Sequence, residues 1–447
     1  MTAADVDSSA PDDGVDNQGS GRSQPFYGWK MARAGIVIQM LHSGLVFNAF
    51  SLFSAQLQAD FGWSNSTLGG AFALNRAESG LLGPLQGWMT DKYGPKAILQ
   101  LGAVIMAAGL YLFSTIDTVL GFYLTYLLIA MGSSLSGFLT ITVAIVHWFE
   151  RKRSRALAVT SMGFAIGGVL AFGVGIVISS VGWRRTSQIA AVLVLLVILP
   201  LSRYFISKPS DVGMYPDGIA PVQTPAPASS GALQGSTVDF VSTPVHFTAR
   251  EAMRTRSFWF ISFGHASALL VVGASMAHLA VFLEDESTIG PTHIAIVIGS
   301  LPAMMGVGQL LGGFLGDKYN KRALLAAAML GHGAGLFVLA ISQGTVMIWL
   351  FVVLHGLAWG VRGPLQQALR ADYFGATDFG KIMGFSALII MTGMVVGPIA
   401  AGFIADQTGS FRLGFVILAA AAALGSLWFW FSTPPAPPER EPATVRG

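Results

Sequence analysis

A run of about 20 apolar residues is long enough to cross the ~30 Å hydrocarbon layer of a bilayer, and this chain has twelve of them. They fall at residues 31–57, 65–90, 96–115, 119–147, 155–180 and 186–206, then at 257–283, 292–316, 322–341, 345–371, 381–405 and 412–432. Backbone inside hydrocarbon has no water to bond to, so segments of this length must close their hydrogen bonds within themselves, as α-helices. The composition agrees. Only 11% of the 447 residues are charged, against about 25% in a soluble domain. Cysteine is absent, which excludes disulfides, thiolate metal sites, iron–sulfur clusters and cysteine nucleophiles.

A polar stretch at 207–250, rich in Pro, Ser and Gly, divides the spans six and six. Residues 26–206 and 251–432 therefore read as two helical bundles joined by a linker. Residues 1–25 and 433–447 are polar tails with too little apolar surface to bury, and read as disordered. The N-terminal tail has no basic lead followed by an apolar run, so it does not read as a cleaved signal.

The basic residues alternate with the loops. Lys92 and Lys96 follow span 2, Arg151, Lys152, Arg153 and Arg155 follow span 4, and Lys318, Lys321 and Arg322 follow span 8. Arg203, Lys208, Arg250, Arg254 and Arg256 flank the linker, while the opposite loops hold little beyond Arg184, Arg185 and Arg412. Lys and Arg are retained on the cytoplasmic side. Both tails and the linker are thus expected in the cytoplasm of a multi-pass protein of the cell membrane. The net charge of +3 is then a topology signal, with no nucleic-acid surface implied.

The two halves are related. DKYGPKAIL (91–99) recurs as DKYNKRALL (317–325), 226 residues later, after the second span of its half. The same displacement pairs LQADFGWSNST with LEDESTIGPTH. A repeat of half the chain length implies two similar bundles about a pseudo-twofold axis.

GWMTDKYGPK (87–96) and GFLGDKYNKR (313–322) resemble the loop signature G-x-x-x-D-[RK]-x-G-x-[RK] of the major facilitator superfamily. The second copy has Asn320 where glycine is usual. FYGWK (26–30), HWFERKRSRALAVTSMGFAIGG (147–168), KPSDVGMYPDG (208–218) and FTAREAMRTRSFWF (247–260) are similar to stretches of the bacterial monocarboxylate and oxalate/formate-type porters. The eighth span lacks the Asp and Arg that the animal monocarboxylate transporters carry there, so the resemblance does not extend to that pair. What it implies is an all-α membrane protein of twelve transmembrane helices in two pseudo-symmetric six-helix bundles, with helices 1, 4, 7 and 10 around a central cavity. It also implies that Asp91 and Asp317 each lie near the positive N-terminus of a helix in the opposite half. That contact is worth about 0.3–1 kcal/mol, and more when partly buried. With Gly87, Lys92, Gly94, Lys96, Arg155, Lys318 and Arg322 they form a latch that holds the cytoplasmic side shut, although the basic residues are also explained by topology alone.

Span 10 carries His355, Trp359, Arg362 and Gln366, at spacings of 4, 3 and 4 on one helical face. An arginine at membrane depth costs roughly 2.5–3.5 kcal/mol on insertion scales, so it should face protein or a water-filled cavity. The positions 226 residues earlier are Ile129, Ser133, Ser136 and Thr140, a small polar stripe. A guanidinium facing hydroxyls suits a carboxylate substrate. The alternative is that a protein carboxylate neutralises Arg362. Span 2 carries Arg76 and Glu78 in FALNRAESG (72–80), about 200° apart around a helix, so the two cannot share one cavity face. Burial raises a carboxyl pKa, which makes Glu78 a candidate proton carrier. A permanent ion pair with no coupling role is the other reading. His42 and His278 lie on cavity-type helices and join the candidates that titrate near neutral pH, or they serve packing alone. No spacing supports a metal site. Thr248 and Glu251 form a capping box before span 7.

No phosphate loop, H-E-x-x-H or nucleophile triad is present, so no enzyme, cofactor or ATP-driven reading arises. The expected function is secondary active transport by alternating access of a small organic anion, a monocarboxylate, by proton symport or anion exchange. Its partners are the bilayer, the substrate and protons or a counter-solute. Drug efflux by proton antiport is the alternative, followed by a transport-inactive sensor.

Overall fold

The computed structural model describes residues 26–220 and 246–438, without the side chains of residues 65, 66, 72, 73 and 76. Residues 1–25, 221–245 and 439–447, which include the N-terminal tail, the middle of the linker and most of the C-terminal tail, lie outside it. The described chain is helical. The first half comprises α1 (Gly28–Phe61), α2 (residues 65–93, in two pieces, Asn65–Leu81 and Gly83–Tyr93), α3 (Pro95–Phe113), α4 (Val119–Trp148), α5 (Arg153–Val181) and α6 (Trp183–Ser202). The second half comprises α7 (Arg256–Glu286), α8 (Pro291–Gly316), α9 (Lys321–Ala340), α10 (Thr345–Phe374), α11 (Phe379–Thr408) and α12 (Arg412–Phe431). Eleven of these are long and apolar enough to cross a membrane by themselves, among the described residues. The exception is α2, whose polar residues and break at Leu82 dilute an otherwise spanning length.

Helix ends follow the sequence chemistry. Ser64, Thr118, Thr255 and Asn320 cap α2, α4, α7 and α9 by accepting backbone N–H bonds, as short polar side chains do at N-termini. Gly62 and Gly409 close α1 and α11 in the left-handed conformation, which only glycine adopts without strain. Thr248 and Glu251 exchange both bonds of the capping box and start the one-turn helix Ala249–Met253.

The halves are built alike. α1 packs on α5 as α7 packs on α11, and α3 contacts α4 and α6 as α9 contacts α10 and α12. Phe172, Val169 and Ile176 of α5 point outward with other large apolar side chains, whereas glycines and small polar residues lie inside. That inversion fits a molecule whose solvent is lipid and whose helices gain by close approach.

The three stretches before, within and after the first half meet at the face bearing Lys92, Lys96 and Arg151, called here the basic face. Phe26 packs against Trp148 and Phe149 at 5.7 and 5.4 Å, Tyr27 lies 5.1 Å from Trp148, and Trp148 Nε1 donates to the Ile206 carbonyl (2.8 Å). The start of the linker is structured here too. Asp217 accepts from the backbone N–H groups of Glu150 (2.9 Å) and Arg151 (2.6 Å), tying the linker to the α4–α5 loop. The second half repeats the device: Phe247 packs edge-on against Phe374 and donates to its carbonyl.

Candidate functional site

A cavity of about 400 Å³ lies between the halves, walled by α1, α2, α4, α5, α7, α8, α10 and α11. Its backbone is irregular on the first-half side. Span 4 was expected as one helix, but α4 breaks at Ser136–Gly137 and resumes at Phe138. α1 widens to a π-helix at Ser43–Asn48, directly after His42. Such departures are tolerated at membrane depth where they line a cavity or find other partners. Here Asn48 Nδ2 donates to the Ser43 carbonyl and Oγ (both 2.8 Å), and Ser43 Oγ donates to the Phe164 carbonyl (2.7 Å).

Arg362 is 2% exposed and lines the cavity with Trp359 and Gln366. Its Nη1 donates to Gln366 Oε1 (3.1 Å) and its Nε to His332 Nε2 (3.3 Å). No carboxylate lies within ion-pair distance among the described residues. Because guanidinium can only donate, His332 accepts at Nε2 and its Nδ1 is left to donate to His355 Nδ1, 3.2 Å away. His355, expected on the cavity face, sits instead behind it, stacked on Phe351 at 5.2 Å and fully buried, with Nε2 unpartnered. It shares the azimuth of Arg362 but lies two turns away, at a depth that α9 covers with His332. His332 itself, on span 9, carried no sequence signal beyond being a lone intramembrane histidine.

A second guanidinium was missed. Arg370 is 1% exposed and donates to Gln367 Oε1 (3.2 Å), Ser386 Oγ (3.0 Å) and His265 Nδ1 (3.4 Å). It too has no acid at ion-pair distance among the described residues. Its signal was present: 362, 366 and 370 continue one stripe at i, i+4, i+8. At the end of an apolar run such an arginine reads as part of the basic flank.

The first-half wall is small and polar. Glu78 is 5% exposed; its Oε2 accepts from Ser134 Oγ (2.9 Å) and Ser79 Oγ (3.1 Å), and its Oε1 has no partner. Ser134, Ser79 and Gln86 line the cavity, and Gln86 Nε2 donates to the Ser134 carbonyl. The side chain of Arg76 lies outside the described residues. Of the expected α4 stripe only Ser133 reaches the cavity. Ser136 bonds the Gly132 carbonyl (2.7 Å) and His42 Nε2 (3.1 Å), and Thr140 bonds the Leu135 carbonyl (2.7 Å) and Thr90 (3.3 Å). At the break these two hydroxyls turn inward: Thr140 takes up the Leu135 carbonyl, and Ser136 adds a second bond to a Gly132 carbonyl that its own N–H already holds (3.0 Å). His42 lines the cavity with Nδ1 unpartnered. His278 lies outside the lining; it bonds the Pro398 carbonyl (3.0 Å) and stacks on Phe411 at 4.8 Å.

Beneath the cavity the halves touch at the basic face. Asp91 accepts from the N–H groups of Gly380 (3.1 Å) and Lys381 (3.0 Å), at the N-terminus of α11. Asp317 accepts from Ser154 N–H (3.0 Å) at the N-terminus of α5, with Arg155 Nε 3.5 Å away. Burial holds the Asp317 carboxyl above its ordinary pKa, opposed by those bonds and by Arg155. The crossings are made by small residues four apart. Cβ atoms on Gly87 or Gly384 would overlap the backbone of Gly380 or Gly83. On the other seam, one on Gly313 would meet the Ala158 methyl at 2.6 Å. The other basic residues of the motif do not join. Lys92 lies over Trp88 and Tyr93, at 4.8 and 5.2 Å. Arg322 Nη1 bonds the Ser432 carbonyl (3.4 Å), and Lys96 and Lys318 make no ion pair among the described residues. Gly94 takes φ +80° at the α2–α3 turn. A further link across the halves was not foreseen: Asp372 of α10 pairs with Arg153 and with Lys321, both at 2.6 Å.

Two six-helix halves around a buried charged cavity, with one face shut, have the architecture of a membrane transporter. The chain belongs to the Major Facilitator Superfamily, whose sequence model matches residues 36–287 and 261–446. It is 24% identical to a benzoate transport protein of Acinetobacter baylyi over 66% of this chain and 65% of that protein's length. It is 23% identical to an oxalate:formate antiporter of Oxalobacter formigenes, over 91% of this chain and 92% of the other. The fold is that of the human organic anion transporter MFSD10, with TM-score 0.69 and 15% identity, covering 90% of this chain and 99% of that one.

Proposed function

We propose that this protein is a secondary transporter of small carboxylates, with Arg362 and Gln366 as the carboxylate anchor. The observation that carries the reading is a guanidinium buried in the central cavity whose partners among the described residues are all neutral. A buried cation without a counter-ion is costly, and a substrate anion supplies what the protein leaves out. Trp359 offers an apolar surface beside it, and Ser133 and Ser134 offer hydroxyls across the cavity. Relatives named for benzoate, oxalate and formate support the same class.

Residues 26–206 and 251–432 act as two bodies that rock about the cavity, with the 207–250 linker between them. The basic face is cytoplasmic, in the cell membrane, and the structure is the state closed on that side. Glu78 is the proton carrier if uptake is proton-coupled; otherwise a second anion exchanges. The test is uptake of labelled benzoate, oxalate and formate into proteoliposomes, with and without an inward proton gradient. Arg362→Gln should lower kcat/KM by roughly 100-fold or more, the scale for removing one partner of a buried charged contact. Glu78→Gln should abolish gradient-driven accumulation and leave exchange. A folded wild type that takes up none of the three, or an Arg362→Gln variant with unchanged kinetics, overturns the reading.

A further inference from the structure

Arg370 is the least explained charge in the molecule. It lies two turns from Arg362 on the same stripe of α10, about 12 Å further along the axis and one turn short of the helix end at the basic face. Three neutral acceptors hold it: Gln367, His265 of α7 and Ser386 of α11. Ser386 Oγ is in turn 2.7 Å from Ser262 Oγ. All belong to the second half, and the negative end of α10 offsets only part of the charge. Gln367 and His265 also line the cavity, so Arg370 stands directly beneath its floor.

The stretch of α10 and α11 around Arg370 belongs to the closed face. Ala368 and Ala371 of α10, with Phe379 and Met383 of α11, are packed into the apolar core of the first half. Rocking the halves apart at the basic face withdraws that apolar cover from this part of α10 and α11. The arginine's own partners move with it, because they are on its own half.

We propose that Arg370 is a second anion-binding residue, sealed in this state and presented to the basic-face vestibule when that side opens, so that a carboxylate passes between Arg362 and Arg370 along one helix. The proposal rests on reading Arg362 as an anion anchor and extends it to the release side. Gln366, between the two, keeps a donor on the path: its Nε2 is buried and unpartnered.

The chain has no cysteine, so Ser386→Cys places a single thiol beside the guanidinium. It would be probed in vesicles of both orientations with membrane-impermeant methanethiosulfonates, one carrying a sulfonate and one a trimethylammonium group. The expected result is modification from the basic face alone, with the anionic reagent faster than the cationic one by roughly tenfold or more. Arg370→Gln on the same background should abolish or invert that preference. Ser262→Cys is the second probe, should the first fail to fold. Equal rates for the two reagents, a preference that survives Arg370→Gln, or thiols at both positions that stay unreactive from the basic face would each overturn the proposal and leave Arg370 as a tie between α7, α10 and α11. The readout needs no transported substrate. A wild type that carries no carboxylate would therefore remove the substrate class assigned to Arg362 without deciding the outcome at Arg370.

Discussion

Gly87→Ala should spring the basic face open. Gly87 crosses Gly380 so closely that an added Cβ would overlap the Gly380 carbonyl and approach Lys381 N. These are backbone atoms, which cannot rotate away. Relieving the overlap requires α2 and α11 to separate by roughly 1 Å, and overpacking of this kind costs about 1–3 kcal/mol. The same separation stretches the bonds from Gly380 and Lys381 N–H to Asp91, each worth about 1.5–3 kcal/mol as a bond to a charged group. A loss of about 2–4 kcal/mol from the closed state alone shifts the closed-to-open ratio by roughly 30- to 1000-fold. The absence of native cysteine permits spin labels at Lys96→Cys and Lys318→Cys, exposed positions on opposite halves. Pulsed EPR should show a longer distance population in Gly87→Ala. Gly173→Ala, where an added Cβ meets nothing within 4 Å, is the control. Were both variants to give the wild-type distance distribution, the close crossing would not be what holds this face shut.

The remaining predictions use the same labels or simple stability assays. Burial raises the Asp317 carboxyl, so the closed state binds that proton more tightly than a state in which the group is hydrated. Its stabilisation of closure is therefore full below the ordinary carboxylate range and is lost as pH rises through the raised value. Wild type should accordingly shorten its basic-face distance on acidification, and Asp317→Asn should flatten that dependence. Thr140→Val should lower thermal stability by about 1 kcal/mol, the net worth of a buried hydrogen bond, without changing KM for any carboxylate carried; a KM change would place Thr140 in the substrate path. Phe26→Ala should cost about 1–2 kcal/mol, since the ring is only half-buried, read as a fall in Tm, because it wedges between Trp148, Phe149 and the linker at Gly218.

The spans and the doubling were legible because both follow from long-range regularities: apolar runs of bilayer length, and charges recurring at one displacement. The positions of Asp91 and Asp317 at helix N-termini of the opposite half were legible because carboxylates have no role in sidedness and so stood out. What escaped was local. Nothing in SSLSGFLT (133–140) distinguishes a helix from a helix broken at Gly137, yet that break sends Ser136 and Thr140 inward and leaves Ser133 as the one member of the expected stripe on the cavity. The stripe on α10 gave the right azimuth for Arg362 and Gln366, but azimuth carries no depth. His355 shares it and is covered by α9, while Arg370, about 80° further round the helix, lies under the cavity floor. Lys92, Lys96, Lys318 and Arg322 could not be told from topology signals by sequence, and in the structure they stay out of the contacts between the halves.

The buried arginines of α10 also have an electrical consequence. Two guanidiniums ride on the second half with no acid at ion-pair distance among the described residues, facing a wall whose one described buried acid is Glu78. A reorientation that moves them relative to the bilayer normal moves net positive charge through the membrane field, and one elementary charge crossing 100 mV is worth about 2.3 kcal/mol. An anion bound at Arg362, as proposed, would cancel part of that charge. The empty molecule is then the more voltage-sensitive one, and membrane potential would set the pace of its return rather than of the loaded step.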